Sequence, residues 1–322
     1  MIHSVAAQPR KTNWLGLYLP WGVALLLAVA WSLWWLALRT ETERRIDAAA
    51  AALRAAGGQA SWQSRHFGGY PFRIDVDVTN LSLAGSGWAL ATPLLKSEAY
   101  AFAPTRWIFA TEDGVTLTPP GGAPIRIASP LLRASLNSWD QHPPRLSFVG
   151  DDLAFTSGPS FPLASAKSVQ LYTRAGPDDQ GAFLIRIDGG TAAPGSGLAA
   201  LAAGQPTSLT VDATFSHASA LRAGPWRASV LGWSAGGGAI TIQHIDFAAG
   251  PAALEAHAGA FGVGPDGALT GQAPASLTLS GKATPANLNL HDGGLWLDGT
   301  RLGPAPRAFS APALSQAQGE TR

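Results

Sequence analysis

Seven histidines, at 3, 66, 142, 217, 244, 257 and 291, are the side chains of this 322-residue chain best suited to proton transfer or metal ligation. None forms an HExxH or His-x-His arrangement. His244 and Asp246 come nearest to a site: residues two apart on a strand share a face, so the carboxylate can reach the imidazole. His291 stands beside Asp292. For His244 and Asp246 a plain surface hydrogen bond is the better explanation. The adjacent acids Asp151-Asp152 and Asp178-Asp179 neighbour Gly or Pro, where Asp favours turns by bonding nearby backbone. A calcium loop needs more oxygen ligands at regular spacing. Gly158-Pro159-Ser160 misses the second glycine of a nucleophile elbow because Pro162 occupies its place. Gly195-Ser196-Gly197 has neither the Lys nor the strand–helix setting of a phosphate loop. The chain has no cysteine, which excludes disulfides, thiolate-bound zinc, iron–sulfur clusters and a thiol nucleophile. The expectation is therefore a non-enzymatic protein with no cofactor and no metal.

Whatever the function, composition narrows the scaffold. Charged residues make up 13% of the chain, against about 25% in ordinary soluble domains. With 37 Gly and 24 Pro, turns should be frequent and long helices few. Residues 1–56 hold six basic and three acidic residues, and the remainder sixteen and eighteen. No basic run exists to track a phosphate backbone, so no nucleic-acid partner is expected.

Residues 14–38 form 25 consecutive positions without an ionisable acid or base. As a helix this stretch reaches about 37 Å, enough to cross a hydrocarbon core of about 30 Å with some tilt. Trp14, Tyr18 and Trp21 lie near one end and Trp31, Trp34 and Trp35 near the other, the placement expected of aromatic anchors at the two membrane interfaces. A cleaved signal peptide is the rival reading, since Ala28-Val29-Ala30 has small residues at cleavage spacing. Apolar sequence continues for eight residues past Ala30, longer than a signal core needs. Two basic residues precede the segment and three follow it closely, so the positive-inside count does not orient it. The short tail with Arg10 and Lys11 has the form of a signal-anchor n-region, which puts the rest of the chain outside the cytoplasm.

After a tail of residues 1–13 and the anchor at 14–38, a juxtamembrane helix, either separate from the anchor or continuous with it, is expected over 40–57. Thr40 and Glu43 read as its capping box, Gly57-Gly58 as its stop. Ile46, Ala49, Ala50 and Leu53 give it an apolar stripe to pack on the following domain. A β domain is then expected over 58–309 and a disordered tail over 310–322. In it, Phe72, Ile74, Val76 and Val78 alternate strictly with Arg73, Asp75, Asp77 and Thr79, the period of a half-buried strand. The phase slips at Asn80, which suggests a bulge. Similar short alternations recur to Leu295/Leu297, separated by turns such as Gly121-Gly122, Asp188-Gly189-Gly190 and Asp298-Gly299. The reading is mainly β: two N-terminal helical segments, then an antiparallel, curved sheet or a sandwich. The second strand faces carry Ala, Gly, Ser and Thr more than Lys and Glu. This fits either a sandwich with both inner faces buried or a curved sheet with an apolar groove.

The run Gly68-Gly69-Tyr70-Pro71-Phe72-Arg73-Ile74-Asp75-Val76, after an apolar segment, an alanine-rich helix and Trp62, resembles the bacterial domain of unknown function 2125 family. So does the later order of Gly238 to Ile242, Gly250-Pro251, Gly259, Asp266-Gly267 and Leu295 to Gly303. The resemblance implies a membrane-anchored bacterial envelope protein, single-pass in the inner membrane with its β domain in the periplasm. It implies no reaction and no site residues. In architecture the chain is also similar to AsmA-like and other lipid-handling envelope proteins. The functional expectation follows: besides the bilayer itself, a lipid or acyl-chain ligand in an apolar groove, or alternatively another envelope protein docked on a sandwich.

Overall fold

The computed structural model describes residues 14–85, 87–157, 161–222 and 225–310. The tail at 1–13 with His3, the motif at 158–160, and residues 311–322 of the expected disordered tail lie outside the described residues, as do the side chains of residues 14–17, Trp14 included.

The two expected helical segments are one. Helix α1 (Trp14–Ala55) runs unbroken for 42 residues, about 63 Å at 1.5 Å per residue. Thr40 caps nothing: its hydroxyl bonds back to the Leu36 carbonyl at 3.0 Å, an interior habit of Thr. Nothing between Leu38 and Glu41 breaks a helix, and alanines carry it on to the stop. There Gly57 takes a φ of +80°, and the Gly58 N–H bonds the Leu53 carbonyl at 2.9 Å, a glycine terminus as expected.

Among the described residues nineteen strands follow, all in one antiparallel sheet, and they pair in chain order as a meander. β1 (Gln59–Ser61) and β2 (Ser64–Gly68) together flank β3 (Arg73–Gly85), which pairs with β4 (Trp88–Tyr100). Next come β5 (Trp107–Thr111) with β6 (Val115–Thr118), then β8 (Leu132–Asn137) with β7 (Ile125–Ala128), each two-piece rank spanning one long neighbour. β9 (Arg145–Ser157), β10 (Leu163–Ala175), β11 (Gly181–Ala192), β12 (Thr207–Phe215) and β13 (Ile240–Ala249) continue the order. β14 (Ala252–Ala256) and β15 (Ala260–Val263) share the next rank, followed by β16 (Leu269–Leu279), β17 (Lys282–His291), β18 (Gly294–Leu297) and β19 (Thr300–Pro304). A short helix, α2 (Gly197–Ala202), stands between β11 and β12. A third helix, α3 (Trp226–Ala235), was not expected, although Trp226, Val230 and Trp233 have helical spacing.

A crease crosses the first half of the sheet. Asn80 in β3 and Asp152 in β9 both adopt φ of 49° while the pairing on either side keeps its register. Each residue turns the alternation over by one position. Ile74, Val76 and Val78 hand over to Leu81, so the buried residues stay on one face. The phase slip at Asn80 is thus real, but no extra residue is inserted. Asp151-Asp152, read as a turn, lies inside β9. The gaps between β5 and β6 and between β7 and β8 fall on the same line. Four buried hydroxyls bond the carbonyls freed there: Thr92 to Gly114 at 3.0 Å, Thr111 to Gly114 at 3.5 Å, Ser129 to Asp151 at 2.7 Å and Thr207 to Gly190 at 3.2 Å. A buried carbonyl without a donor would cost about 1–3 kcal/mol, which accounts for small hydroxyl residues inside this line.

The sheet curls far enough to bring the segment after β19 against the β6–β7 turn. Residues 305–310 run from β19 past the β15–β16 turn, where the Leu269 N–H bonds Pro306 at 2.9 Å and the Ala308 N–H bonds Gly267 at 2.8 Å. Ser310 then accepts the Gly121 N–H at 3.0 Å, 189 positions away, in the β6–β7 turn. Ser310 was placed in the tail, but it belongs to this closure. Phe309, fully buried, packs with Val230 and Trp233 of α3 and with Val263.

Candidate functional site

The feature that dominates this sheet is its apolar face. One unbroken line of cross-strand partners runs Phe67, Val76, Ser97, Phe109, Ala134, Phe148, Leu171, Ile185, Val211, Ile245, Ala256, Ala275 and Ala286. Only Ser97 interrupts its apolar character. At about 4.8 Å per strand the line extends for close to 60 Å. The line one residue over is mostly polar: Asp77, Lys96, Arg133, Gln170, Arg186, Thr210, Asp246, Glu255 and Ser276 lie along the opposite face, interrupted by Ala110 and Val149. Of the two readings left open by the sequence, a curved single sheet is the one that forms.

Cover on that face is uneven. At one end Leu38 and Ile46 of α1 pack on Ile74, Val76, Val78 and Leu81. At the other, Ala213, Ile242, Ala256, Phe261, Ala273, Leu288 and Leu290 close on one another. Between them Phe148, Val169, Leu171, Ile185 and Ile187 stay half-buried and join none of the described buried clusters. A hollow of about 320 Å³ lies beyond the crease, where β9 ends and β10 begins, lined by Phe155, Phe161, Leu163, Pro194 and Ser196. Its two phenyl rings meet at 5.2 Å. A second depression of about 430 Å³ is mixed in character, with Arg145, Tyr172, Arg174 and Asp212 among its walls.

The junction between α1 and the sheet is specific. Trp31 donates its indole N–H to the Pro71 carbonyl at 2.8 Å, and Trp35 donates to Arg73 at 2.7 Å. Ser32 and the Tyr70 hydroxyl share a hydrogen bond of 2.8 Å, and Trp35 meets the Tyr70 ring edge-on at 5.3 Å. The Gly-Tyr-Pro-Phe-Arg motif is therefore the socket for the helix. Gly69, at φ +90°, is required there: a Cβ would lie 2.7 Å from the Arg73 carbonyl oxygen. Further along, Arg65, whose side chain is 12% exposed, bridges Asp47 at 2.8 Å and Glu43 at 3.2 Å while lying over the rings of Trp62 and Phe67. The hydrogen bond from Arg65 holds the Asp47 carboxyl below its ordinary range, and the same bond raises the Arg65 guanidinium.

Of the six aromatics read as interface anchors, Trp31 and Trp35 thus have partners in the sheet, and Trp35 is buried. Tyr18, Trp21 and Trp34 are exposed on the helix surface. In the expected apolar stripe, Ala50 is buried and Ile46 and Leu53 half-buried, whereas Ala49 faces outward. The sequence offered a sign of the junction that went unread: Trp31 and Trp35 are four apart and share a helix face.

The titratable pairs assemble into no cleft. His244 stacks on His257 with ring centroids 4.8 Å apart and Nδ1 atoms at 3.3 Å, so its partner is not Asp246. His291 bonds Asp292 at 3.0 Å and lies flat on Trp296 at the β17–β18 turn. Asp178 and Asp179 form the expected turn with φ of 54° and 55°. The Ser219 hydroxyl and N–H hold the Asp179 carboxyl below its ordinary range. Among the described residues no three His, Asp or Glu side chains are placed to hold a metal.

Fold and junction together define a class: a curved antiparallel meander with one apolar face, socketed onto an N-terminal helix long and apolar enough to cross a membrane. The chain belongs to a family described as uncharacterized protein conserved in bacteria (DUF2125), whose model matches residues 35–283. That match opens at Trp35, the first buried residue of the helix. No curated protein and no solved structure matches the chain.

Proposed function

We propose that this is a non-enzymatic bacterial envelope protein, anchored in the inner membrane by α1 with its sheet in the periplasm, which binds lipid or acyl chains on the uncovered middle of its apolar face. The observation that carries the reading is the half-buried set Phe148, Val169, Leu171, Ile185 and Ile187, flanked on both sides by covered stretches of the same face. Apolar patches of this extent mark binding surfaces when they persist in a folded protein. A flexible, unbranched hydrocarbon fits a long, shallow surface of this kind better than a compact polar ligand does. The anchor supports the reading by holding the sheet next to a supply of lipid.

The full chain in lipid nanodiscs, exposed to a fatty acid bearing a photoreactive diazirine, should be labelled in peptides from β9, β10 and β11. Labelling confined to α1, with none on the sheet, sinks the acyl-chain reading and leaves the anchor standing. An intact mass lacking residues 1–30 would instead show a cleaved leader and remove the anchor.

A further inference from the structure

Beside the helix socket lies a group of exposed aromatic side chains that the acyl-chain face does not use. Tyr70 is 57% exposed, Phe72 65%, Tyr100 52% and Phe102 69%. All four sit at one end of the sheet, in the β2–β3 turn and at the close of β4, where the Ala101 N–H bonds the Phe72 carbonyl at 2.8 Å. Tyr100 and Phe102 stack on each other at 5.0 Å. Trp139, 51% exposed, joins them by donating its indole N–H to Thr105 in the neighbouring turn at 2.7 Å. Five large aromatics left open at adjacent turns are unusual for a surface facing only water.

The helix fixes where this rim lies. Counted from Trp14, about 20 residues span a hydrocarbon core of about 30 Å, which brings α1 out of the apolar layer near Leu33. The hydrogen bonds that Trp31 and Trp35 donate, and the one shared by Ser32 and Tyr70, tie the β2–β3 turn to that level. Aromatic rings with one polar end favour the headgroup region, and both tyrosines of the rim have that form. Resting on the anchored reading above, we infer that this aromatic rim is seated in the interfacial layer of the same bilayer, so that the sheet is attached to the membrane twice. The occupant of the surface is lipid, because the apolar helix bonded to the β2–β3 turn holds the rim at the depth of the headgroups.

The absence of cysteine makes the test direct. Single nitroxide labels at Phe72→Cys and Phe102→Cys, with Leu26→Cys in α1 and Leu279→Cys at the β16–β17 turn as references, are placed in the full chain in nanodiscs. Collision with oxygen and with a water-soluble nickel chelate is then measured at each. The rim labels should favour oxygen over nickel several-fold more than the Leu279→Cys label, approaching the Leu26→Cys label. Rim labels as open to nickel as Leu279→Cys, with Leu26→Cys still shielded, overturn the inference and leave the anchor intact. A nickel-accessible Leu26→Cys label removes the anchor, and the inference falls with it.

Discussion

The two ends of the apolar face solve one problem differently, and the middle is left half-buried. At the N-terminal end the face presents branched residues, Ile74, Val76 and Val78, and a separate helix covers them. At the C-terminal end the corresponding positions shrink to Ala213, Ala256, Ala273 and Ala286, and the sheet bends tightly enough to cover itself around Phe261 and Leu288. In between, Phe148, Leu171 and Ile185 are too bulky for so tight a curl, and α1 lies over β1 and β3 instead. Side-chain volume along one face thus sets where a curled sheet closes and where it stays open.

Cutting away side chain separates the ends from the middle most strongly. Ile74→Ala should cost about 2–5 kcal/mol, a lost core side chain plus its cavity. Ile185→Ala, at a half-exposed site, should cost about 1 kcal/mol or less. Urea unfolding of both variants in the same detergent measures the contrast, and equal losses would mean that the middle is closed. Adding volume reverses the test. Ala256→Leu, at a position with no exposure, should destabilise by about 1–3 kcal/mol through overpacking, whereas Ala134→Leu should be close to neutral by the same measurement.

Leu171→Arg addresses the middle alone. A charge in the open stretch should cut diazirine fatty-acid labelling of the sheet by about tenfold, equivalent to about 1.4 kcal/mol of lost apolar contact, while the circular dichroism spectrum is retained. Unchanged labelling would move the ligand elsewhere.

The smallest effect belongs to the helix-covered end. The folded-state value of Asp47 is lowered by Arg65, so the stability this pair adds is present above the ordinary carboxylate value of 3.8 and lost as pH falls through the depressed folded value. The melting temperature of Arg65→Met should therefore trail that of the natural chain at pH 7, with the gap narrowing below pH 3.8. A constant gap across that range would assign Arg65 to its stacking on Trp62 and Phe67 rather than to its charge.

Strands announced themselves where one face is buried and the other wet. Val169/Leu171, Ile185/Ile187 and Leu288/Leu290 all lie in strands as their alternation predicts. β4 was harder to read, because Pro93 and the slip opposite Asn80 break its period. Helix α3 was missed for a related reason: three turns with Gly232 inside and Pro225 at the start carry a weak pattern against a background of strands. The capping box at Thr40 was a false start, since a cap sequence matters only where the preceding residues leave the helix. Of the candidate site, the apolar positions were visible one strand at a time, while the His244–His257 contact and the Trp31 and Trp35 bonds depend on residues far apart in sequence.

The sequence by itself determined that the chain has a long uncharged N-terminal segment of helical character, no thiol chemistry, and many half-apolar strands. Those are consequences of residue type and local period, which act over neighbouring positions. Only the tertiary structure decided that the helix is continuous and socketed on the Gly-Tyr-Pro-Phe-Arg turn. It alone decided that the alternation is turned over along a crease so that one face stays apolar for the width of the sheet. The physical reason is that register and curvature are set by cross-strand partners and by side-chain volume on a shared face. Neither quantity is a property of any single strand.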